Sequence, residues 1–329
     1  MDSYLNQYSL QIISKYFNSI DDYINLVKTC REYINIIDNF NFNPIPISNL
    51  NIFKNVKTQH IYNKDDISLN VKKYVIYHEV DFNYYTYITG NKICKNIKIT
   101  HENAKYFRND NIIDLRNIDI KLLCNNCFKR YRMKSIILPN SLIKINKYCF
   151  KNCENLKEIV IPDSVTILNN YCFKNCENLS NIKLNSKLKI IGTECFGNCK
   201  KLKEIVIPNS VIKLGSTCFS NCTSLCNIKL NSKLNTLGIE CFENCGNLKE
   251  IVIPNSIHEI GYKCFYDCSK LLEIEIPNSV TMLGGRCFKN CINLSKIICD
   301  MVRLNFGFES FANCKLPKSF LDKLPYYVY

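Results

Sequence analysis

The residues in this chain best suited to chemistry are its cysteines. The chain has 329 residues and 21 cysteines. The pair Cys-Phe occurs at 127, 149, 172, 195, 218, 241, 264 and 287, once at a gap of 22 residues and then at 23. Ser310-Phe311 adds a ninth copy. A second cysteine stands four residues after the first at 153, 176, 199, 222, 245, 268, 291 and 314. Outside this lattice lie Cys30, Cys94, Cys124, Cys226 and Cys299. A Cys-x-x-x-Cys pair could hold a metal ion, close a disulfide or pack as two thiols. Zinc sites combine two close pairs, often with histidine. This chain has four histidines, and His60, His78 and His101 lie outside the regular repeats. Ser310 replaces the first cysteine and Tyr131 the second, which a metal ligand would not tolerate. Free cysteine is a small, readily buried hydrophobe. The expectation is packed core thiols and no metal.

Other catalytic signatures are missing. The sequence carries no Ser-His-Asp order, phosphate loop, dinucleotide glycine motif or His-Glu-x-x-His. Asparagine recurs at 152, 175, 198, 221, 244, 290 and 313, with Asp267 as the exception. A residue repeated in every copy implies architecture, here a stacked ladder of side chains bonding to backbone. The expectation is a non-enzyme without a cofactor.

The cysteine lattice belongs to a repeating unit whose length is the Cys-Phe spacing. One copy runs from Leu202 through Ile205, Ile207, Pro208, Val211, Leu214, Gly215, Cys218, Phe219 and Asn221 to Cys222. Internal repetition at this period marks a solenoid, and the length fits a leucine-rich repeat. Leu202, Ile205 and Ile207 form a short strand facing inward, which Pro208 ends. Val211 and Leu214 return the chain to the core. Gly215, with Gly192, Gly238, Gly261 and Gly284 at equivalent places, is expected at positive φ. Cys218 to Cys222 reads as a short helical turn. A second period, twice as long, overlies the first. Copies with Lys-Glu-Ile-Val-Ile-Pro at 157, 203 and 249 alternate with copies starting Asn-Ile-Lys-Leu-Asn-Ser at 181 and 227.

The run Ile-Pro-Asn-Ser-Val, then apolar-Gly-x-x-Cys-Phe-x-Asn-Cys, resembles the BspA-type (Treponema-pallidum-type) leucine-rich repeat over residues 122–314. That family usually has alanine before the phenylalanine. The resemblance implies a stack of parallel strands that recognises other proteins or surfaces, and adhesion in bacterial members. The family is expanded in some anaerobic protists, and the Asn/Ile/Lys-rich composition fits such a source. The fold expected is mainly β with short helices, a solenoid of ~23-residue units under a helical N-terminal cap.

One strand per repeat, ~4.8 Å from the next, makes a continuous sheet roughly 35 Å long. Alternation turns Glu158 and Val160, Asn181 and Lys183, Glu204 and Val206, Asn227 and Lys229, and Glu250 and Val252 outward. These residues form the expected partner-binding face. Exposed valines flanking Lys183 and Lys229 favour a contact surface.

Residues 1–45 have helical grammar, with apolar residues at spacings of three and four from Leu10 to Ile37. Ser19 to Asp22 offers N-caps, and Pro44 and Pro46 end the pattern. Ile12-Ile13, then Asp22-Tyr23-Ile24-Asn25-Leu26, then Cys30-Arg31-Glu32-Tyr33 resembles an F-box, without its leading Leu-Pro and with Tyr33 where Trp is common. That resemblance implies a Skp-type adaptor docked on Leu10, Ile13, Ile20, Tyr23, Leu26 and Cys30 within residues 5–42. The alternative is a cap on the solenoid. Residues 46–121 read as irregular β structure, with strands at 74–77, 84–88 and 97–99. Ile113 stands one repeat length before Ile136, which indicates a decayed repeat. Residues 315–329 read as a C-terminal cap.

Charge completes the picture. The chain carries 43 basic and 29 acidic residues, a net +14. Residues 122–329 hold 28 and 16 of these. Lysines scattered over a long surface fit an AT-rich coding background rather than a nucleic-acid site. No run of 18 apolar residues marks a membrane span, and the first residues lack a basic-then-apolar leader. The expected setting is cytoplasmic. Three roles fit: a protein-binding scaffold, a substrate receptor of a Skp–cullin ubiquitin ligase, or a surface adhesin exported by an unconventional route.

Overall fold

The structure is a computed structural model. It describes residues 12, 16–29, 40, 42–46, 56–69, 71–83 and 92–328. The chain divides into two compact units, Met1–Lys98 and Ile99–Tyr329.

The first unit holds a helix at Ile20–Thr29. Asp22 accepts hydrogen bonds from the Asn18 and Ser19 backbone N–H groups and from the Ser19 hydroxyl, at 2.9, 2.9 and 3.0 Å. These bonds fix the helix start as the sequence suggests. Tyr23 is fully buried with Phe40, Ile45 and Val56, and Ile20 and Leu26 pack against this cluster. Strands Thr58–Ile61, Lys73–Ile76 and Lys92–Cys94 pair in parallel. Thr58 pairs with Lys73 and Tyr74 with Lys92, so these coils are shorter than the regular repeat. Residues 84–88, read as a strand, lie outside the described residues.

The second unit is the repeat stack. The strand at Ile112–Asp114 pairs in register with Ser135–Ile137, so the decayed repeat is a real rung. Most regular rungs contribute two strands where one was expected, and the rung of Glu250 contributes only Glu259–Ile260. The first row runs through Glu158–Val160, Asn181–Lys183, Glu204–Val206 and Asn227–Lys229. The second row runs through Ile167–Leu168, Ile190–Ile191, Lys213–Leu214 and Thr236–Leu237. The Val-x-x-Leu segment thus extends instead of merely returning to the core. Val211 and Leu214 point inward at 0% and 4% exposure, and Lys213 points out.

The expected single sheet is also broken. Glu158–Val160 pairs with Asn181–Lys183, and Glu204–Val206 with Asn227–Lys229, but those two pairs form separate sheets. Within the doubled block the closed junctions share one feature. Asn185 and Asn231 are buried where the alternate copies have proline. The Asn185 amide donates to the Pro162 and Val165 carbonyls at 2.7 and 2.8 Å. Asn231 does the same to Pro208 and Val211 at 2.8 and 3.0 Å. Proline at this position has no amide to offer. The reverse junctions use serine instead, with Ser210 and Ser256 donating to the Leu188 and Leu234 carbonyls.

The third side of each rung is a turn, as read from Cys218 to Cys222. Two residues per turn have positive φ, such as Thr217 at 54° and Asn221 at 59°. Positive φ rotates the N–H groups toward the next rung. Thr217 donates to Ile239 at 2.7 Å, Phe219 to Cys241 at 2.9 Å and Asn221 to Glu243 at 2.7 Å. The recurring asparagine therefore sits where the left-handed region is needed. Its side chain also forms a ladder, as Asn198 donates to Asn175 at 2.9 Å and Asn244 to Asn221 at 3.0 Å. The repeated glycines do not occupy positive φ. They permit close approach: a Cβ on Gly215 would sit 2.3 Å from the Thr193 nitrogen.

Inside the turn, nine phenylalanines from Phe128 to Phe311 stack. Neighbouring centroids are 5.2–5.7 Å apart with planes within 12°. The stack is closed at its C-terminal end. Phe320 packs edge-on to Phe311, whose N–H donates to the Val328 carbonyl at 2.9 Å.

Phe196→Ala removes a fully buried ring from mid-stack and should cost about 3–5 kcal/mol. Gly215→Val should also destabilise, because the clash is with backbone. Urea melts of both variants check this, and a midpoint unchanged from wild type would refute the register.

Candidate protein-binding face

The first row of strands sets the candidate face. Ile159, Ile205 and Ile251 are buried, which forces their neighbours outward. Glu158, Asn181, Lys183, Glu204, Asn227, Lys229 and Glu250 are all exposed. Val160, Val206 and Val252 are 59%, 63% and 82% exposed. An apolar residue thus recurs every second rung, with lysine between. Glu250 and Val252 sit outside any strand, in the segment between Lys229 and Glu273. Further along, Lys296 pairs with Glu273 at 3.0 Å. A groove of about 1020 Å³ follows this face near Ile112, Arg116, Ser135, Ile137, Val160 and Lys183. A second, of about 530 Å³, lies along Asn227, Glu250, Val252, Glu273, Glu275 and Ile298. The arrangement offers an elongated surface with alternating charge and aliphatic contact.

The cysteine lattice serves the fold. All eight first-position cysteines are buried. The second-position thiols donate to phenylalanine carbonyls of the preceding rung. Cys199 reaches Phe173 at 3.3 Å, Cys222 reaches Phe196 at 3.2 Å and Cys245 reaches Phe219 at 3.2 Å. This bond is the role that periodicity alone does not disclose. A thiol is small enough for the core and still donates a weak hydrogen bond. Burial pushes the Cys195, Cys222 and Cys241 thiols up to about 12. Cys226 is the one exposed cysteine among the described residues.

The residues expected to dock an adaptor are placed unevenly. Tyr23 belongs to the core of the first unit, with Ile20 and Leu26 partly buried against it. Ile24 on the same helix is 42% exposed. Leu10, Ile13 and Cys30 lie outside the described residues.

The repeat region is similar to known proteins. The family model for the BspA type leucine rich repeat region matches residues 121–211 and 189–317. The chain belongs to this family. No curated protein matches it in sequence. A leucine-rich repeat protein from Bacteroides ovatus is similar at 22% identity and a TM-score of 0.53, over 79% of this chain and 77% of that one. Another from Eubacterium ventriosum is similar at 20% identity and a TM-score of 0.54, over 95% and 90%. These likenesses establish the fold.

The buried thiols predict a pH dependence. An unfolded thiol ionises near 9, whereas the buried ones hold their protons to about 12. Stability is therefore full below about pH 8 and falls as pH rises past 9, by about 1.4 kcal/mol per such thiol at one unit above. Thermal melts between pH 7 and 10.5 should show a steep fall in Tm above pH 9. A flat profile would contradict the burial.

Proposed function

We propose that the protein is a non-catalytic scaffold whose first-row strand face holds a protein partner. The observation that carries this reading is the row Val160, Val206 and Val252, exposed at every second rung with Glu158, Glu204 and Glu250. Aliphatic side chains left in water at every second rung gain free energy when a partner covers them. The charges around them supply orientation and selectivity. A cytoplasmic setting is part of the proposal. The thiols act as hydrogen-bond donors, and that role needs them reduced.

A second reading adds a Skp-type adaptor on the N-terminal segment, making the repeats the substrate receptor of a ubiquitin ligase. Exposed Ile24 beside the buried Tyr23 leaves an apolar contact available on that helix. Co-elution of the full chain with a purified Skp-type adaptor tests it, with Leu10→Asp and Leu26→Asp as the control. A surface adhesin would use the same strand face and differ in compartment alone.

The scaffold reading is tested by quantitative capture from cell lysate with wild type and a triple variant in parallel. The variant is Lys183→Glu, Lys229→Glu and Glu204→Lys, all at exposed positions. A protein retained by wild type should fall at least about tenfold with the variant, at unchanged Tm. Equal retention of every bound protein would remove the strand face from the account.

A further inference from the structure

We propose that the turn edge of the repeat stack pairs with the same edge of a second copy of this chain, about a two-fold axis between the rungs of Gly197 and Ser220. The order of charges along that edge favours this pairing. One column reads Lys151, Lys174, Gly197, Ser220, Glu243 and Tyr266. The column beside it reads Tyr148, Tyr171, Glu194, Thr217, Glu240 and Lys263. The first half thus carries Lys151, Lys174 and Glu194 with two tyrosines, a net positive charge, and the second Glu240, Glu243 and Lys263 with Tyr266, a net negative one.

A two-fold axis across the stack exchanges rungs equally far from its centre. Lys174 then meets Glu243 of the second copy. The Tyr171 hydroxyl meets the carboxylate of Glu240 of the second copy, and Lys151 meets the ring of Tyr266 of the second copy. Lys263 of the second copy meets the ring of Tyr148. Each contact occurs twice, because the interface is isologous. At the centre, Gly197 and Ser220 are buried and small, so the two edges can come close. The flanking ladder of Asn175, Asn198, Asn221 and Asn244 faces itself, amide to amide.

The edge is already ordered for this contact. The Tyr148 and Tyr171 rings stack at 4.7 Å and 9°, and the Lys151 amine lies 5.3 and 5.8 Å from their centroids. Lys263 lies 5.0 Å from the Tyr266 ring and 4.0 Å from both Glu240 and Glu243. Side chains held in this way lose little freedom on association. Each half also keeps one counter-charge of its own, Glu194 paired with Lys174 in the first and Lys263 beside Glu240 and Glu243 in the second, which leaves a net charge of one unit on each. Burial and then Lys174, Lys129 and Arg130 lower the Lys151 pKa, while burial and then Glu240 raise that of Glu243. A second copy brings a carboxylate to Lys174 and an ammonium to Glu243. The pairing ends where Lys129 would face Lys289 of the second copy. The strip is therefore about 24 Å long at the spacing of stacked strands. An interface of that size associates weakly and responds to salt.

Sedimentation equilibrium of the full chain, from ~10 to ~300 μM protein, tests this across the range where weak dimers form. At ~50 mM salt the average mass should rise from 38.3 kDa toward twice that value, and less at ~500 mM. Lys174→Glu and Glu243→Lys should each weaken the dimer about tenfold, since every substitution alters two symmetric contacts. The double variant should recover to within about threefold of wild type, because the pair is restored with its signs exchanged. A monomer at every concentration overturns the proposal, and so does a double variant no better than the singles. If either charge variant melts early, Tyr171→Phe is read instead. It removes only a hydroxyl and should weaken the dimer about threefold. An unchanged constant with that variant also overturns the proposal.

Discussion

The turn column carries the constraint on which the rest of the stack depends. Each turn must pass its N–H groups to the next rung while a phenylalanine ring lies flat on its neighbour. Phe196 N–H donates to the Cys218 carbonyl at 2.9 Å, and its ring lies 5.4 Å from that of Phe219. Both contacts require the same rise per rung. Residues at positive φ make the first possible, and asparagine takes one of those two places in nearly every copy. The thiol after it satisfies a phenylalanine carbonyl from the rung before. Cys, Phe, Asn and Cys are therefore parts of one device, which explains why they recur together.

Once the turns fix the rise, the strands follow with some freedom. The first row closes into hydrogen-bonded pairs at the junctions where Asn185 and Asn231 cap the preceding carbonyls, and it opens at the reverse junctions. The turn column runs unbroken through both kinds of junction. The duplication of a two-rung block thus has a structural counterpart. It also sets the spacing of exposed groups, with valine and lysine alternating along one row. A surface of this kind presents the same chemistry at every second rung, and a partner can meet several equivalent contacts at once.

Much of this was readable from residues alone. The Cys-Phe spacing disclosed the period, the Ser310 and Tyr131 replacements pointed to packed thiols, and strand alternation set the direction of Val160, Val206 and Val252. The decayed rung at Ile113 could be seen from its distance to Ile136. Three features were not readable. The second strand row depends on backbone bonds such as Gly215 N–H to the Ile191 carbonyl, which leave no side-chain signature. The reason for glycine at 215 is proximity to Thr193 in the rung before, a contact between segments far apart in the chain. Positive φ at Thr217, Glu194 and Tyr171 falls on residues that do not favour it, so the fold imposes it through hydrogen bonding. On the candidate face, sequence alternation named the outward residues correctly. It did not anticipate that Tyr23, in the helical segment, is committed to a core.

Adjacent rungs are coupled through the ring column. Double-mutant cycles in urea measure that coupling directly, using Phe196→Leu with Phe219→Leu, and Phe196→Leu with Phe265→Leu. The adjacent pair should show an interaction energy of about 0.5–1.5 kcal/mol. The pair three rungs apart should be additive within about 0.5 kcal/mol. Equal coupling in the two cycles, or none in either, would contradict a stack whose register is held by its rings.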